Sequence, residues 1–164
     1  MALCSDRQRV DFHSLMPLIS AKLEQEGKVK IPAQGNSMFP LFRHGRDQVI
    51  LEMCSPCNVK KYDMILYCRP NGQYVLHRVV GVKKDGYILR GDGQLWNEYS
   101  VRPEWIIARV GAFRRGARSY TCACCGYRVY AVVWTDTVWV RRGLAKLKRG
   151  MYKLKSLLAS GSGK

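Results

Sequence analysis

Between Lys28 and Gly116 the apolar residues come in short runs, each cut by glycine, proline or asparagine. That texture leaves little room for helices able to build a core and suits strands joined by tight turns. The runs predict strands at Val29–Ile31, Gln48–Met53, Met64–Cys68, Tyr74–Val82, Tyr87–Arg90 and Trp105–Phe113, with a further hairpin from Tyr120 to Trp134. Asn71-Gly72 and Asp85-Gly86 mark tight turns, because both central residues of a type I′ turn take positive φ. The fold class expected is mainly β, and mostly antiparallel.

Both ends depart from this pattern. Phe12, Leu15, Met16, Ile19 and Leu23 lie near helical spacing between Val10 and Gln25, and Gly27 is a natural stop. Pro17 disturbs the early part, and Asp11 or Ser14 is the cap expected for a helix starting just before it. Beyond Trp134, Val140, Leu144, Leu147, Met151, Leu154 and Leu158 recur at spacings of four and three. Arg141, Arg142, Lys146, Lys148, Arg149, Lys153 and Lys155 fill the intervening positions, which describes a basic amphipathic helix weakened by Gly143 and Gly150. The expected organisation is a helical segment at 1–27, a β domain at 28–134, the basic helix at 135–159 and a flexible tail at 160–164.

A chain of 164 residues with 47% hydrophobic and 24% charged residues is expected to form one globular domain with an extension. No apolar run approaches the roughly 20 residues that cross a bilayer, and charge rather than an apolar core follows Met1-Ala2-Leu3-Cys4. Seven cysteines without an export signal suit reduced thiols, so the expected location is cytoplasmic, with peripheral attachment at the inner face of the membrane as an option. The net charge of +16 is uneven: after Trp105 only Asp136 is acidic. The partner expected for that half is anionic, either nucleic acid or a membrane surface.

The stretch Gln34-Gly35-Asn36-Ser37-Met38-Phe39-Pro40 holds one serine between a glycine and a proline. A serine hydroxyl attacks a carbonyl only if a base sits within reach and donors surround the developing oxyanion. His77 is the candidate base, on a strand where it shares a face with Val75 and Val79. Its second nitrogen needs a partner, and Asp92 and Glu98, one strand later, are the carboxylates at hand. Singly, a Gly-x-Ser reads as a turn, a strand histidine as a satisfied core residue, and Asp92 as a turn-forming aspartate.

Their order along the chain is more specific. Gly35-Asn36-Ser37-Met38-Phe39-Pro40 with His44-Gly45-Arg46-Asp47-Gln48-Val49 resembles the serine box of type I signal peptidases and LexA-like self-cleaving proteases. Tyr62-Asp63-Met64-Ile65, His77-Arg78-Val79-Val80 and Arg90-Gly91-Asp92-Gly93 resemble the three boxes that follow, over roughly residues 28–113. The histidine is similar to the endoplasmic-reticulum and archaeal type, which implies a Ser–His–acid arrangement on an antiparallel β fold. Ser37 is then the nucleophile and His77 the general base. Glu98 is the favoured orienting acid although the family uses aspartate there, and Asp92 is the alternative. The resemblance also implies an oxyanion donor at the Ser37 N–H, shaping roles for Gly35, Met38 and Pro40, and a substrate bound as an added strand and cut after small residues. The chain departs from the pattern where Arg46 is inserted before Asp47, where Tyr62 replaces a glycine, and where Gly93 replaces an asparagine.

The function expected is a serine endopeptidase acting on a peptide or precursor protein, with no cofactor and no metal. The alternatives are a LexA-like self-cleaving regulator, or a basic binding module without catalysis on the same fold. A LexA-like Ala-Gly or Cys-Gly bond is not found ahead of Ser37. Cys54-Ser55-Pro56-Cys57 and Cys122-Ala123-Cys124-Cys125 offer thiolates for zinc, but they lie far apart and read better as incidental thiols. For the basic stretch at 139–158 three roles remain open: packing its apolar stripe on the β domain, lying on an anionic membrane, or, less favoured, binding nucleic acid.

Overall fold

The computed structural model describes residues 12–147 and Met151, with side chains from Ser14 onward. Helix α1 (Phe12–Glu26) leads into β1 (Lys28–Pro32), β2 (Gln48–Glu52), β3 (Met64–Cys68), β4 (Tyr74–Lys83), β5 (Gly86–Arg90), β6 (Glu98–Val101), β7 (Ile106–Arg115) and β8 (Arg118–Thr121), and α2 (Cys125–Asp136) follows. The chain is therefore mainly antiparallel β, a sheet in the order β1-β2-β7-β3-β4-β5-β6, with helices at both ends and β8 paired to β7. After α2, residues 138–147 are helical again. The Ser160–Lys164 tail, and the stretch from 152, lie outside the described residues, as do Asp11 and the segment before it.

Strands β3 and β4 are covered on both faces, so their residues divide between two cores. Met64 and Leu66 join Met16, Ile19 and Leu23 of α1 on one side, together with Met38, Leu41 and Phe42 from the serine loop. Ile65 and Tyr67 join Val79, Leu89 and Val101 on the other. β3 pairs with β4 so that Ile65 faces His77 and Leu66 faces Leu76. His77 thus lies on the Val75 and Val79 face, as the alternation requires.

Three expectations need correction. The predicted Tyr120–Trp134 hairpin is a strand only to Thr121, and α2 replaces its second arm. The β-branched run reads as a strand locally, yet Tyr127, Ala131 and Thr135 are buried at a spacing of four, and packing on the sheet decides. Glu98–Val101 is a strand that sequence reading took for loop. Pro17 lies inside α1, where it forgoes one helical hydrogen bond. The turns fall where Asn71-Gly72 and Asp85-Gly86 placed them, but neither is type I′. Arg69 and Gly72 close the first by an N–H···O bond of 2.8 Å, and only Gly72 of that Asn-Gly pair has positive φ, at 81°.

Tyr62, the residue that replaces a glycine in the motif, has φ of 81°. An L side chain there costs about 1–2 kcal/mol. Its surroundings hold it in place: the Tyr62 N–H donates to Val79 O at 2.8 Å, and its hydroxyl donates to Asp136 at 2.8 Å. Tyr62→Ala keeps the unfavourable backbone and loses the hydroxyl, whereas Tyr62→Gly loses the hydroxyl and relieves the backbone. In urea unfolding Tyr62→Gly should be the more stable of the two variants by about 1 kcal/mol, the reverse of the usual ranking of glycine and alanine.

Candidate active site

Ser37 stands half-buried in the turn after β1, on a platform anchored to both sides. Below it, Met38 is buried in the core, and its carbonyl accepts from the Phe42 N–H at 3.0 Å. The loop closes through Asp47, whose carboxylate accepts from Arg46, from the Arg43 N–H at 2.9 Å and from the Gly116 N–H at 3.2 Å. Burial alone would raise the Asp47 carboxyl, but those donors outweigh it and hold it below the ordinary carboxylate value. Gly35 has φ of 72° and donates its N–H to His44 Nδ1 at 3.0 Å, and Pro40, half-buried, follows a cis peptide bond.

The Gly91-Asp92-Gly93 turn clamps the serine from the opposite side. Gly93 N–H donates to Ser37 O at 2.8 Å. A Cβ on Gly91 would overlap the Ser37 carbonyl and lie 3.1 Å from Ser37 Cβ, so the position admits no side chain unless the serine moves. Ser37 and His77 then line one cavity of about 320 Å³, walled by Val49, Leu66 and Leu76, with Gln94 also on its wall. The two residues paired from motif order alone therefore border the same cavity.

His77 is 2% exposed, and burial depresses its imidazole from 6.5 to about 4. Its Nδ1 lies 3.2 Å from the Tyr67 hydroxyl, and that hydroxyl donates to Glu98 Oε2 at 2.7 Å. Glu98 also accepts from Arg69, at 2.8 Å from Nε and again from Nη2. Burial would raise Glu98, but Arg69 and Tyr67 outweigh it and keep the carboxyl below its ordinary value. A phenol has one proton, and here the carboxylate takes it. The hydroxyl oxygen can only accept from Nδ1–H, so the basic nitrogen of His77 is Nε2.

Glu98, the favoured orienting acid, thus sits in the same cluster as His77, but at 3.8 Å from Nδ1 and through a tyrosine rather than in contact. Asp92 lies in another cluster. Its carboxylate takes two bonds from Arg78, at 2.8 and 2.7 Å, with Tyr130 OH at 3.3 Å. It fixes the turn beneath Ser37. Tyr67 and Arg69 were missed by sequence reading: the observed register sets Tyr67 diagonal to His77 on the same face, whereas a two-residue Asn71-Gly72 turn would pair Tyr67 with Leu76 on the other face. Among the described residues no cluster of His, Cys, Asp or Glu could hold a metal ion, and the six described cysteines are free thiols.

Comparison with known protein families, with curated proteins and with solved structures finds no match, so the reading of this site rests on its own geometry and the sequence motifs.

The depressed His77 leaves a thermodynamic signature. Its folded pKa lies below the unfolded one, so the unfolded chain binds the proton first, and stability falls as pH drops below about 6.5. At about 1.4 kcal/mol per pKa unit, the loss approaches 3 kcal/mol by pH 4. Asp47 and Glu98, depressed below ordinary carboxylates, add their losses only at lower pH. Urea unfolding between pH 6.5 and 5 should therefore show a positive slope of stability with pH that His77→Gln largely removes. Equal slopes in both proteins would refute the buried neutral imidazole.

Proposed function

We propose that the chain is a serine endopeptidase of the signal peptidase and LexA-like type, with Ser37 as nucleophile and His77 as general base. The observation that carries this reading is the shared cavity: a loop serine clamped by Gly91 and Gly93 lines it together with His77, whose ring proton is held on Nδ1. Ser37 Oγ attacks the scissile carbonyl as His77 Nε2 takes its proton, and the Ser37 N–H stabilises the oxyanion. Collapse expels the amine, which receives the proton from Nε2. Water then repeats the sequence on the acyl-enzyme. Tyr67, held by Glu98, is a positioning residue that fixes the tautomer and supports the imidazolium as it forms.

The cavity also suggests how a substrate binds. β1 ends the sheet, and the β4–β5 ladder begins at Arg78, beyond Val75–His77. Both backbones border the cavity, so a peptide can enter as an extended strand between them. Val49, Leu66 and Leu76 leave room for small apolar side chains, which fits a cut after small residues.

A fluorophosphonate probe tests the chemistry directly. Wild-type protein should be labelled at Ser37, Ser37→Ala should not, and His77→Ala should lose at least about a hundredfold in rate. Tyr67→Phe keeps the ring and removes the hydroxyl; it should slow labelling by at least about tenfold under native conditions, and because it leaves the buried Nδ1–H without its acceptor it should also lower stability by about 1–3 kcal/mol. Because His77 stays neutral down to about 4, labelling should persist at pH 5.5, where an ordinary imidazole is roughly nine-tenths protonated. Absence of labelling in the wild type would favour the non-catalytic binding module.

A further inference from the structure

The helical segment that follows α2 is built inside out. Trp139, Val140, Leu144, Leu147 and Met151 are exposed, between 38% and 70%, although they form the apolar stripe. Val138, Arg141 and Ala145 are the less exposed positions, spaced three and four apart. Arg141 fastens this inner side to the domain, donating to Asp92 O at 2.7 Å and to Trp134 O at 3.0 Å. Arg142 donates to Leu95 O at 2.7 Å. Polar anchors thus hold the helix while its hydrophobic side looks outward, which excludes packing of the described stripe on the β domain. Val129, Val132 and Val133 of α2 are exposed as well.

An apolar face this long calls for an apolar partner, and the surrounding charge identifies its chemistry. Besides the anchoring Arg141 and Arg142, residues 137–164 contain six Lys and Arg, and no Asp or Glu. A second copy would bring like charges together. Nucleic acid would satisfy the cations but leave leucine and methionine with nothing to bury against. An anionic bilayer satisfies both, since acyl chains receive the stripe, headgroups receive the cations, and tryptophan favours the interface between them. We propose that this outer face docks on an anionic lipid surface. Arg142 donates to Leu95 O, next to the cavity-lining Gln94, so the docking helix and the cavity share one loop.

Sedimentation of the full chain with vesicles tests the proposal, using phosphatidylglycerol mixed with phosphatidylcholine against phosphatidylcholine alone. The mixed vesicles should bind at least about tenfold more tightly, and high salt should weaken that binding. The triple variant Trp139→Glu, Leu144→Glu, Leu147→Glu should lose about a hundredfold or more. Leu144→Ser with Leu147→Ser, a milder change, should lose part of it with an unaltered circular dichroism spectrum. Equal binding to both vesicles, or undiminished binding by either variant, overturns the proposal. Self-association or DNA binding abolished by the triple variant, without vesicle binding, overturns it in favour of that other occupant. Repeating the measurement in Ser37→Ala separates docking from the peptidase reading, because lipid binding requires no nucleophile.

Discussion

The buried ion pair between Arg78 and Asp92 is the joint on which the rest of the molecule hangs. Both residues are nearly inaccessible, at 1% and 3% exposure, and two parallel hydrogen bonds join them. Such a pair repays its desolvation only when further hydrogen bonds satisfy the remaining donors and acceptors. Those bonds are present. Arg78 also donates to Tyr62 O at 3.0 Å and to the Tyr127 hydroxyl at 2.8 Å, and the Asp92 carbonyl accepts from Trp134 and Arg141. One pair thereby connects β4, the turn under Ser37, α2 and the helical segment beyond it. Loss of either partner leaves an unpaired buried charge, a change that commonly costs 3–5 kcal/mol.

The same pair explains why His77 can be buried without a carboxylate in contact. Arg78 and His77 are neighbours on β4 and therefore face opposite sides of the sheet. Asp92 is claimed on the Arg78 side. The imidazole side is left with Tyr67, a neutral partner, and the charged Glu98 and Arg69 stand one step farther out. A neutral hydroxyl beside the ring does little to stabilise an imidazolium at rest, so burial dominates and the imidazole stays unprotonated. The carboxylate behind it can still stabilise the imidazolium once a proton arrives, because the hydroxyl stays polarised between them.

Most of the β architecture was legible in the sequence because period-two alternation and turn residues are local signals. Met64–Cys68 is the expected strand unchanged, and β2, β4, β5 and β7 differ by a residue or two at their ends. The alternation also placed His77 on the correct face. What failed depended on distant contacts. Val129 to Trp134 is rich in β-branched and aromatic residues, and only the sheet beneath Tyr127 and Ala131 makes it helical. For the candidate site, motif order singled out Ser37 and His77, which border one cavity, and Glu98, which lies in the His77 cluster, whereas Tyr67 was passed over as one more apolar residue in a buried strand. Asp92 was ambiguous because a carboxylate in a glycine turn serves equally as a base-orienting group or as an arginine's partner, and the choice belongs to Arg78.

The least legible property was the curvature of the sheet, and the site exists because of it. In a flat sheet, neighbouring strands stand about 4.8 Å apart, so β3 and β6 would be separated by roughly 14 Å and β1 and β4 by roughly 19 Å. Yet Tyr67 of β3 touches Glu98 of β6, and Ile31 of β1 lines one cavity with His77 of β4. Register shifts mark where the sheet bends: between Ile50 and Leu51, between Leu66 and Tyr67, between Val79 and Gly81, and between Tyr87 and Leu89. Each irregularity increases the local twist and turns a strand away from the mean plane. Curling one way carries the Ser37 loop toward β4; curling the other carries Glu98 over the face that bears Tyr67. A sequence displays the residues of a bulge but not the partner strand against which one of them is extra. That residues near the beginning of the chain and residues in its middle border one cavity therefore follows from accumulated small shifts in register, spread over four strand pairs, rather than from any single motif.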